Sequence, residues 1–330
     1  MAEGRRLGER MRIVKVIGGV LLGLVVLVVI GVTVLAFYHR QQLREEAEEY
    51  PPPGRIVDVD GQGLHVYAEG DGEQTLVFMA GHGTSCPSLD FKPLWSRVVD
   101  EYRIVVVEKV GYGWSETSGS PRDLDTILDE TRQALDSAGE TGPFVLVPHS
   151  MSGLEAVYWA QKYPEEVVAI IGLDPLTPAA VAALPEPSMA ELNVTHFVSR
   201  IGLSRLMPEE DLGTVIPLLA LDELDDAERR QYVAVFFRSA VTTPMLDEVR
   251  HLNTNAQLVA EREVPAGTPT YFFTSSEQEA VAPGWLDALT GYLGQAKTGR
   301  HLHLETGHYV HYEEADVIAG EIKAFLRDID

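Results

Sequence analysis

The longest apolar run lies near the amino end, where residues 17–38 (IGGVLLGLVVLVVIGVTVLAFY) contain no charged side chain. As a helix rising about 1.5 Å per residue, this run can cross the roughly 30 Å hydrocarbon core of a bilayer. A cleaved signal peptide has a shorter apolar region and a small-residue cleavage site, which the following HRQQLREEAEEYPPP does not offer. The pattern predicts a transmembrane helix over residues 17–38.

Basic residues are concentrated on the amino-terminal side of this helix. Five precede it and two follow it, and the latter give way to glutamates: Arg5, Arg6, Arg10, Arg12 and Lys15 before, Arg40 and Arg44 after. Because the basic flank normally stays in the cytoplasm, we expect residues 1–16 to be cytoplasmic and the remainder to lie outside it. Residues 39–54 resemble a short, stiff, charged linker.

From residue 55 onward, short continuous apolar runs alternate with amphipathic helical patterns. The runs TLVFMAG, RIVVVEK, PFVLVPH and VVAIIGLD predict buried strands, and DLDTILDETRQALDSAGE and SGLEAVYWAQKY predict helices. Such alternation is typical of an α/β domain, a mostly parallel sheet with helices on both faces. Between residues 175 and 267 the patterns are helical only. We expect a helical insertion over the carboxyl ends of the strands, where open α/β sheets bind ligands.

Composition and charge narrow the class of partner. The hydrophobic fraction of 45% and charged fraction of 23% are those of a globular protein. The net charge of −24 would repel nucleic acid. One cysteine excludes an internal disulfide framework, and the Cys and His residues lack zinc-ligand spacing. We therefore expect no metal and no cofactor, and a small molecule as the ligand.

The segment VPHSMSG, residues 147–153, carries the main chemical signal. Ser150 lies between a predicted strand and a predicted helix, the setting in which a sharp turn presents a nucleophilic serine. The usual pattern is Gly-x-Ser-x-Gly, and here Pro148 and Ser152 replace the two glycines. Ser152 is small enough for the crowded turn. Pro148 lacks an N–H and removes one possible ladder hydrogen bond.

Four stretches together resemble the α/β-hydrolase superfamily, in particular a membrane-anchored bacterial group: EKVGYGWSE, LVPHSMSG, AIIGLDP and TGHYVHYEE. The resemblance covers nearly all of residues 55–330 and is weakest in the helical insertion. It implies an eight-stranded type of sheet, a helical cap over residues 175–267, and a triad of serine, acid and histidine. It does not specify a substrate.

The resemblance implies that His308, in the loop before the last helix, is the catalytic base. His301, His303 and His311 are weaker candidates for this role. A serine hydroxyl is a poor nucleophile until an imidazole accepts its proton, so Ser150 requires such a partner.

The orienting acid has three candidates. In many relatives the acid follows the strand before the last, where this chain has only Glu277 and Glu279. In others it follows the strand after the nucleophile helix, which gives Asp174 in IIGLDP. We favour Asp174, although an aspartate before proline often only caps a turn. All three candidates keep the chain order of nucleophile, acid and histidine.

The oxyanion hole requires two backbone donors. One is expected from Met151, directly after the nucleophile, and the other from His82 in the loop AGHG after the strand TLVFM.

These residues predict a serine hydrolase that cleaves a carboxylic ester, lactone or thioester through an acyl-enzyme. A serine nucleophile argues against the epoxide hydrolase and dehalogenase branches, which use a carboxylate. Two alternatives remain: an aminopeptidase of the proline iminopeptidase type, and a non-catalytic binding protein on the same scaffold, which Pro148 keeps open. The sequence does not determine the oligomeric state.

Overall fold

The computed structural model describes the backbone of residues 2–329 and the side chains of residues 10–329. One sheet contains eight strands: β1 Arg55–Val59, β2 Gln62–Glu69, β3 Thr75–Met79, β4 Arg103–Val107, β5 Phe144–Pro148, β6 Val167–Leu173, β7 Thr270–Ser275 and β8 Gly299–Leu304. Their spatial order is β1-β2-β4-β3-β5-β6-β7-β8. Strand β2 is antiparallel to both of its neighbours and the other pairs are parallel. The predicted fold class is confirmed.

Thirteen α-helices accompany the sheet in the described residues: α1 Ala2–Glu49, α2 Pro87–Asp90, α3 Lys92–Trp95, α4 Leu124–Ala138, α5 Ser152–Lys162, α6 Pro178–Ala183, α7 Met189–Arg200, α8 Asp226–Ser239, α9 Thr243–Ala260, α10 Ser276–Val281, α11 Trp285–Leu293, α12 Val310–Glu313 and α13 Ala315–Ile329. Four short 3-10 helices occur at Pro164–Glu166, Leu203–Leu206, Glu209–Thr214 and Pro217–Ala220.

The sheet is covered on both faces because its central strands are apolar on both. Along β3, Leu76 and Phe78 point into a core shared with α3 and α13. The alternate residues Val77 and Met79 point into the opposite core, shared with α4, α5 and α11. Successive strand residues face opposite sides of a sheet, so a continuous apolar run needs both layers of helices to be buried.

The expected insertion contains helices and no strand between residues 175 and 267, but part of it packs into the core of the sheet. Helices α7 and α8 and three of the 3-10 helices line the cavity or belong to a separate apolar cluster, not to the two cores of the sheet. The second half of α9 instead joins the core beside α5, through Leu252, Ala256 and Val259. The amphipathic pattern of α9 predicted its helix, and only the packing shows which layer it belongs to.

The amino-terminal apolar segment forms one long helix, α1, in which Arg10–Glu49 is long and apolar enough to cross a membrane. The helix does not end at Tyr38. It continues to Glu49, so most of the expected linker over residues 39–54 is helical. Glutamate, glutamine, arginine and alanine are good helix formers, and the next helix breaker in the sequence is Pro51. The extended part of the helix also contacts the folded domain, because Glu46 accepts two hydrogen bonds from Arg205.

Candidate active site

Ser150 lies at a sharp turn between β5 and α5. Its backbone has φ +54°, a left-handed conformation that costs energy for a non-glycine residue. Its N–H donates to the carbonyl of Leu173 at 3.2 Å, and its carbonyl accepts from the N–H of Leu176 at 2.7 Å. The turn is therefore held by hydrogen bonds to the end of β6, as a nucleophile elbow requires.

Small residues allow this turn to pack closely. A Cβ on Gly153 would lie 2.4 Å from the carbonyl oxygen of Leu176, so only glycine fits there. Ser152 is fully buried, with its hydroxyl 2.7 Å from the carbonyl oxygen of Met79 and 2.8 Å from that of His149. The serine that replaces the usual glycine thus ties the elbow to β3.

Pro148 occupies a position where its missing N–H affects one side of β5 only. The N–H of His149 reaches β3 at Met79, and that of Ser150 reaches β6 at Leu173. Because donors alternate sides along a strand, an N–H at Pro148 would point toward β6. The pairing between β5 and β6 is interrupted there, between Leu146 and His149, whereas pairing with β3 continues through Pro148.

Asp174 and His308 are in direct contact. Nδ1 of His308 lies 2.7 Å from Oδ2 of Asp174, whose side chain is fully buried. The carboxylate also accepts from the Ser275 hydroxyl at 2.6 Å and from Trp285 Nε1 at 2.9 Å. These donors hold the carboxylate in one orientation beneath the imidazole.

The two alternative acids bind backbone instead. Glu277 accepts from the N–H of His308 at 2.9 Å. Glu279 accepts from the N–H groups of Leu286 and Gly284, at 2.7 and 3.1 Å, and these hydrogen bonds lower its carboxyl pKa. Glu277 therefore fixes the loop that carries His308, and Glu279 caps the amino end of helix α11.

His149, directly before Ser150, connects the turn to His308. Its Nε2 lies 3.2 Å from the carbonyl oxygen of His308, and the two rings are 4.8 Å apart. The ring of His311 lies 4.8 Å from that of His149 on another side. Burial, and then the neighbouring His308 and His311, hold the pKa of His149 well below its ordinary value. His149 is thus a neutral packing partner.

The other histidines of this region have different surroundings. Burial lowers the pKa of His311 to about 3, with His308 adding to the effect. His301 and His303 on β8 share one partner, the hydroxyl of Thr274, at 2.8 and 2.9 Å. Of the four sequence candidates, His308 is the one that contacts Asp174.

The loop after β3 passes over Ser150. A Cβ on Gly81 would lie 2.8 Å from Cβ of Ser150 and 2.9 Å from the carbonyl oxygen of His149. His82 follows at once, so its backbone lies beside the elbow. Burial lowers the pKa of the His82 ring, and its Nδ1 has no hydrogen-bond partner among the described residues. Met151 adopts helical angles at the start of α5, with its N–H among those free at a helix amino end.

A cavity of about 590 Å³ lies between this loop, the residue after His308 and the cap. Its lining is mostly apolar: Gly83, Thr84, Ser85, Asp90, Thr195, Val198, Ser199, Leu203, Ser204, Leu206, Met207, Val215, Ile216, Pro217, Tyr232, Phe236, Ala240, Val241, Tyr309 and Tyr312. This volume suits a small organic substrate.

One carboxyl group lines this cavity and was not a sequence candidate. Asp90 is buried and accepts hydrogen bonds from the hydroxyls of Tyr232 and Tyr312. Burial raises its pKa to about 6, although the two tyrosines oppose the shift. In the sequence Asp90 is one polar residue of an apparent helix, and its partners lie more than one hundred residues away.

Known proteins share this architecture. Residues 76–321 match the alpha/beta hydrolase family. Uncharacterized protein YbdG of Bacillus subtilis (strain 168) is 36% identical over 260 residues, which are 78% of each chain. A pimeloyl-acyl-carrier-protein methyl ester esterase of Stenotrophomonas maltophilia (strain R551-3) is 23% identical over 80% of this chain and 96% of its own.

A solved structure agrees on the fold. Epoxide hydrolase VrEH1 from Vigna radiata superposes with a TM-score of 0.62 at 20% identity, over 83% of this chain and 97% of its own. The family match spans most of the folded domain, and the elbow and its surroundings lie within it. The chain therefore belongs to the alpha/beta hydrolase family.

Proposed function

We propose that this chain is a serine hydrolase of ester-type substrates in which Ser150 attacks, His308 transfers the proton and Asp174 orients the imidazole. The observation that carries the proposal is the pairing of a strained elbow at Ser150 with the 2.7 Å contact between His308 and Asp174. Asp174 accepts from Nδ1, which leaves Nε2 of His308 as the proton acceptor.

The reaction has two halves. In the first, the Ser150 hydroxyl adds to the ester carbonyl while His308 takes its proton, and then gives it to the leaving alcohol. In the second, water attacks the acyl-enzyme with His308 as base, and the acid is released with Ser150 restored. The N–H groups of Met151 and His82 are proposed to stabilise the negative oxygen of both tetrahedral intermediates.

The cavity supports a substrate with an apolar acyl part. Its walls are mostly aliphatic and aromatic, and its carboxyl group, Asp90, already accepts hydrogen bonds from two tyrosine hydroxyls. An aminopeptidase would need a free carboxylate for the substrate ammonium, so Asp90 does not favour that alternative. The esterase among the relatives supports an ester substrate.

The reading as a non-catalytic binding protein rested on Pro148. Its effect is confined to one interrupted pairing with β6, and the β3 side of the strand and the elbow itself retain their hydrogen bonds. That ground for an inactive site is therefore weak.

A fluorophosphonate probe tests the nucleophile. The wild-type chain should be labelled, and Ser150→Ala should not be, because the probe reacts with an activated serine. Ser204→Ala is the matched control, since its hydroxyl also lines the cavity, and it should keep its labelling. Equal labelling of the wild type and Ser150→Ala, or none of either, would refute the proposal.

We also propose that α1 anchors the chain in a membrane, with the amino end in the cytoplasm and the hydrolase domain outside. The five basic residues before the span support this orientation.

A further inference from the structure

The cap carries five exposed apolar side chains, which we call the apolar rim: Val194, Phe197, Leu203, Leu206 and Val215. Leu206 and Val194 are the most exposed, with 66% and 62% of their surfaces accessible, and the large Phe197 side chain is 56% exposed. Single exposed apolar residues are common, but a group of them marks a surface that meets an apolar partner.

Helix α1 fixes the position of this rim relative to the apolar span. His39, one residue beyond the span, is buried against the cap, because Gly202 and Arg205 pack on it. A Cβ on Gly202 would lie 2.4 Å from Cβ of His39. Gly202 and Arg205 bracket Leu203 in the chain. The rim is therefore held at the level where the helix leaves the hydrocarbon.

The contact begins within the span itself. Val32, Leu35 and Ala36 are half-buried, whereas residues 10–31 are exposed throughout. These three residues lie on the same helix face as His39, at spacings of three, four and seven. Since Val32 precedes Tyr38 by six residues, the domain reaches about 9 Å along the span from its outer end.

The charged part of the cap lies on the other side of this level. Glu209 and Glu210 line a surface hollow together with Gln42, Glu46 and Glu49 of the helix. Those helix residues follow the apolar span, so the charged residues of the cap that line the hollow, which include three arginines, lie beside its aqueous extension. The apolar rim and the charged hollow are thus separated along the direction of α1, as a boundary between lipid and water requires.

Three residues of the rim also border the cavity, and Val194 and Phe197 do not. Leu203, Leu206 and Val215 are exposed and at the same time line the cavity. The opening is therefore bordered by apolar side chains at the depth of the lipid surface.

We propose that the apolar rim contacts the lipid bilayer and that the cavity takes its substrate, a lipid ester, from the membrane. The identity of the substrate rests on the proposed serine hydrolase function, whereas the lipid contact does not. The ester's acyl chain passes from lipid into an apolar cavity without crossing water, and its carbonyl then reaches the elbow beyond the loop at His82.

The depth of the rim can be measured on the full chain reconstituted in phosphatidylcholine vesicles. An NBD label is attached to Phe197→Cys, which does not line the cavity; the natural Cys86 is fully buried. Thr141→Cys is the control. Thr141 is exposed just before β5 and so lies at the amino ends of the parallel strands, whereas the cap covers their carboxyl ends. Lipids carrying a spin label in the acyl chain should quench the label at 197 and not that at 141. No quenching at 197, or equal quenching at both sites, would overturn the lipid contact.

Substrate entry is tested with a double variant, Val194→Ser with Phe197→Ser. Against p-nitrophenyl palmitate in vesicles its kcat/KM should fall by about tenfold, because apolar contact with lipid is lost. Against p-nitrophenyl acetate in water its kcat/KM should stay at the wild-type value. Val317→Ser on α13 also replaces an exposed apolar side chain with serine, but away from the rim, and it should alter neither value. An equal loss on both esters, or no loss on the palmitate, would overturn entry from the membrane.

The two proposals fail in different ways. A wild-type chain that hydrolyses neither ester and is not labelled at Ser150, but whose label at 197 is quenched, refutes the hydrolase and keeps the lipid contact. A chain that is labelled at Ser150 and shows no quenching at 197 keeps the hydrolase and refutes the lipid contact.

Discussion

Asp174 is held by donors that come from three separate segments of the chain. His308 Nδ1 and the Ser275 hydroxyl contact its Oδ2, and Trp285 Nε1 donates to its Oδ1. The carboxylate is fully buried. A buried carboxylate that accepts this many hydrogen bonds is held in one orientation. These contacts distinguish Asp174 from Glu277, which supports the backbone of the same histidine.

Asp174→Asn is expected to lower kcat by about 10³–10⁴-fold with a small change in KM, because an amide donor favours the wrong imidazole tautomer. Steady-state kinetics on a soluble ester measures this.

Glu277→Gln and Glu279→Gln are the matched controls, and each should lose far less turnover because neither side chain contacts the imidazole. A larger loss in Glu277→Gln than in Asp174→Asn would assign the acid to Glu277 instead.

Asp90 gives the stability of the fold a pH dependence of its own. Its pKa in the folded chain is about 6 and its ordinary value is 3.8. The folded state therefore binds this proton more tightly, so the contribution to stability is complete below 3.8 and is lost as pH rises through 6.

We expect the free energy of unfolding of the wild type, relative to Asp90→Asn, to rise by about 1 kcal/mol between pH 8 and pH 5. Urea unfolding of both full chains in detergent micelles at the two pH values measures it. Asparagine retains an acceptor for the tyrosine hydroxyls, which makes it the appropriate reference. A difference between the two chains that is the same at both pH values would contradict the assignment.

At the scale of elements, β5 shows how a strand tolerates proline at its end. Every residue of β5 whose N–H would face β3 has that N–H. Pro148, the one residue without an N–H, lies at a position whose N–H would face β6. By the alternation of donors, an N–H at position 148 would face the carbonyl of Ile171, two residues before the Leu173 carbonyl that accepts from Ser150.

Pro148→Ala should therefore change the free energy of unfolding by no more than about 1 kcal/mol, because one regained hydrogen bond offsets the greater freedom of the unfolded chain. Val147→Pro, one residue earlier, removes a donor that faces β3 and should cost about 3 kcal/mol or more. Denaturant unfolding compares the two, and similar values for both would show that the sides of β5 do not differ in this way.

The elements also show where reasoning from the sequence was sufficient. The run TLVFM predicted a strand buried on both faces, and β3 is buried at every position. The helical insertion likewise has no strand in residues 175–267. The pattern could not assign α9 to the core, because that depends on surfaces supplied by distant parts of the chain. The extension of α1 through residues 39–49, by contrast, agrees with the local helix propensity of those residues.

At the scale of the whole molecule, the domain is attached to α1 by contacts and not only by the chain. His39 and Glu46 both engage Arg205, and Trp114 Nε1 donates to the carbonyl of Tyr50. The direction of the helix therefore fixes the orientation of the domain relative to the apolar span.

Fusions to the carboxyl end test the proposed orientation. Alkaline phosphatase, which folds in an oxidising compartment, should be active there, and a green fluorescent protein exported by the general secretion route should be dark. Replacing Arg5, Arg6, Arg10, Arg12 and Lys15 with glutamine should reduce the difference, because these residues set the orientation. A fluorescent fusion with inactive phosphatase on the wild-type chain would place the domain in the cytoplasm.

Periodicity and local spacing are properties of neighbouring residues, so the sequence by itself determined the α/β class, the apolar helix, the elbow at Ser150 and the family. Tertiary structure decided what depends on residues far apart in the chain. It brought Asp174 into contact with His308, 134 residues away in the chain. It paired Glu277 and Glu279 with backbone N–H groups, and it placed Asp90 between two tyrosine hydroxyls. It also laid the cap against α1, because contact between distant surfaces depends on the folded path of the whole chain.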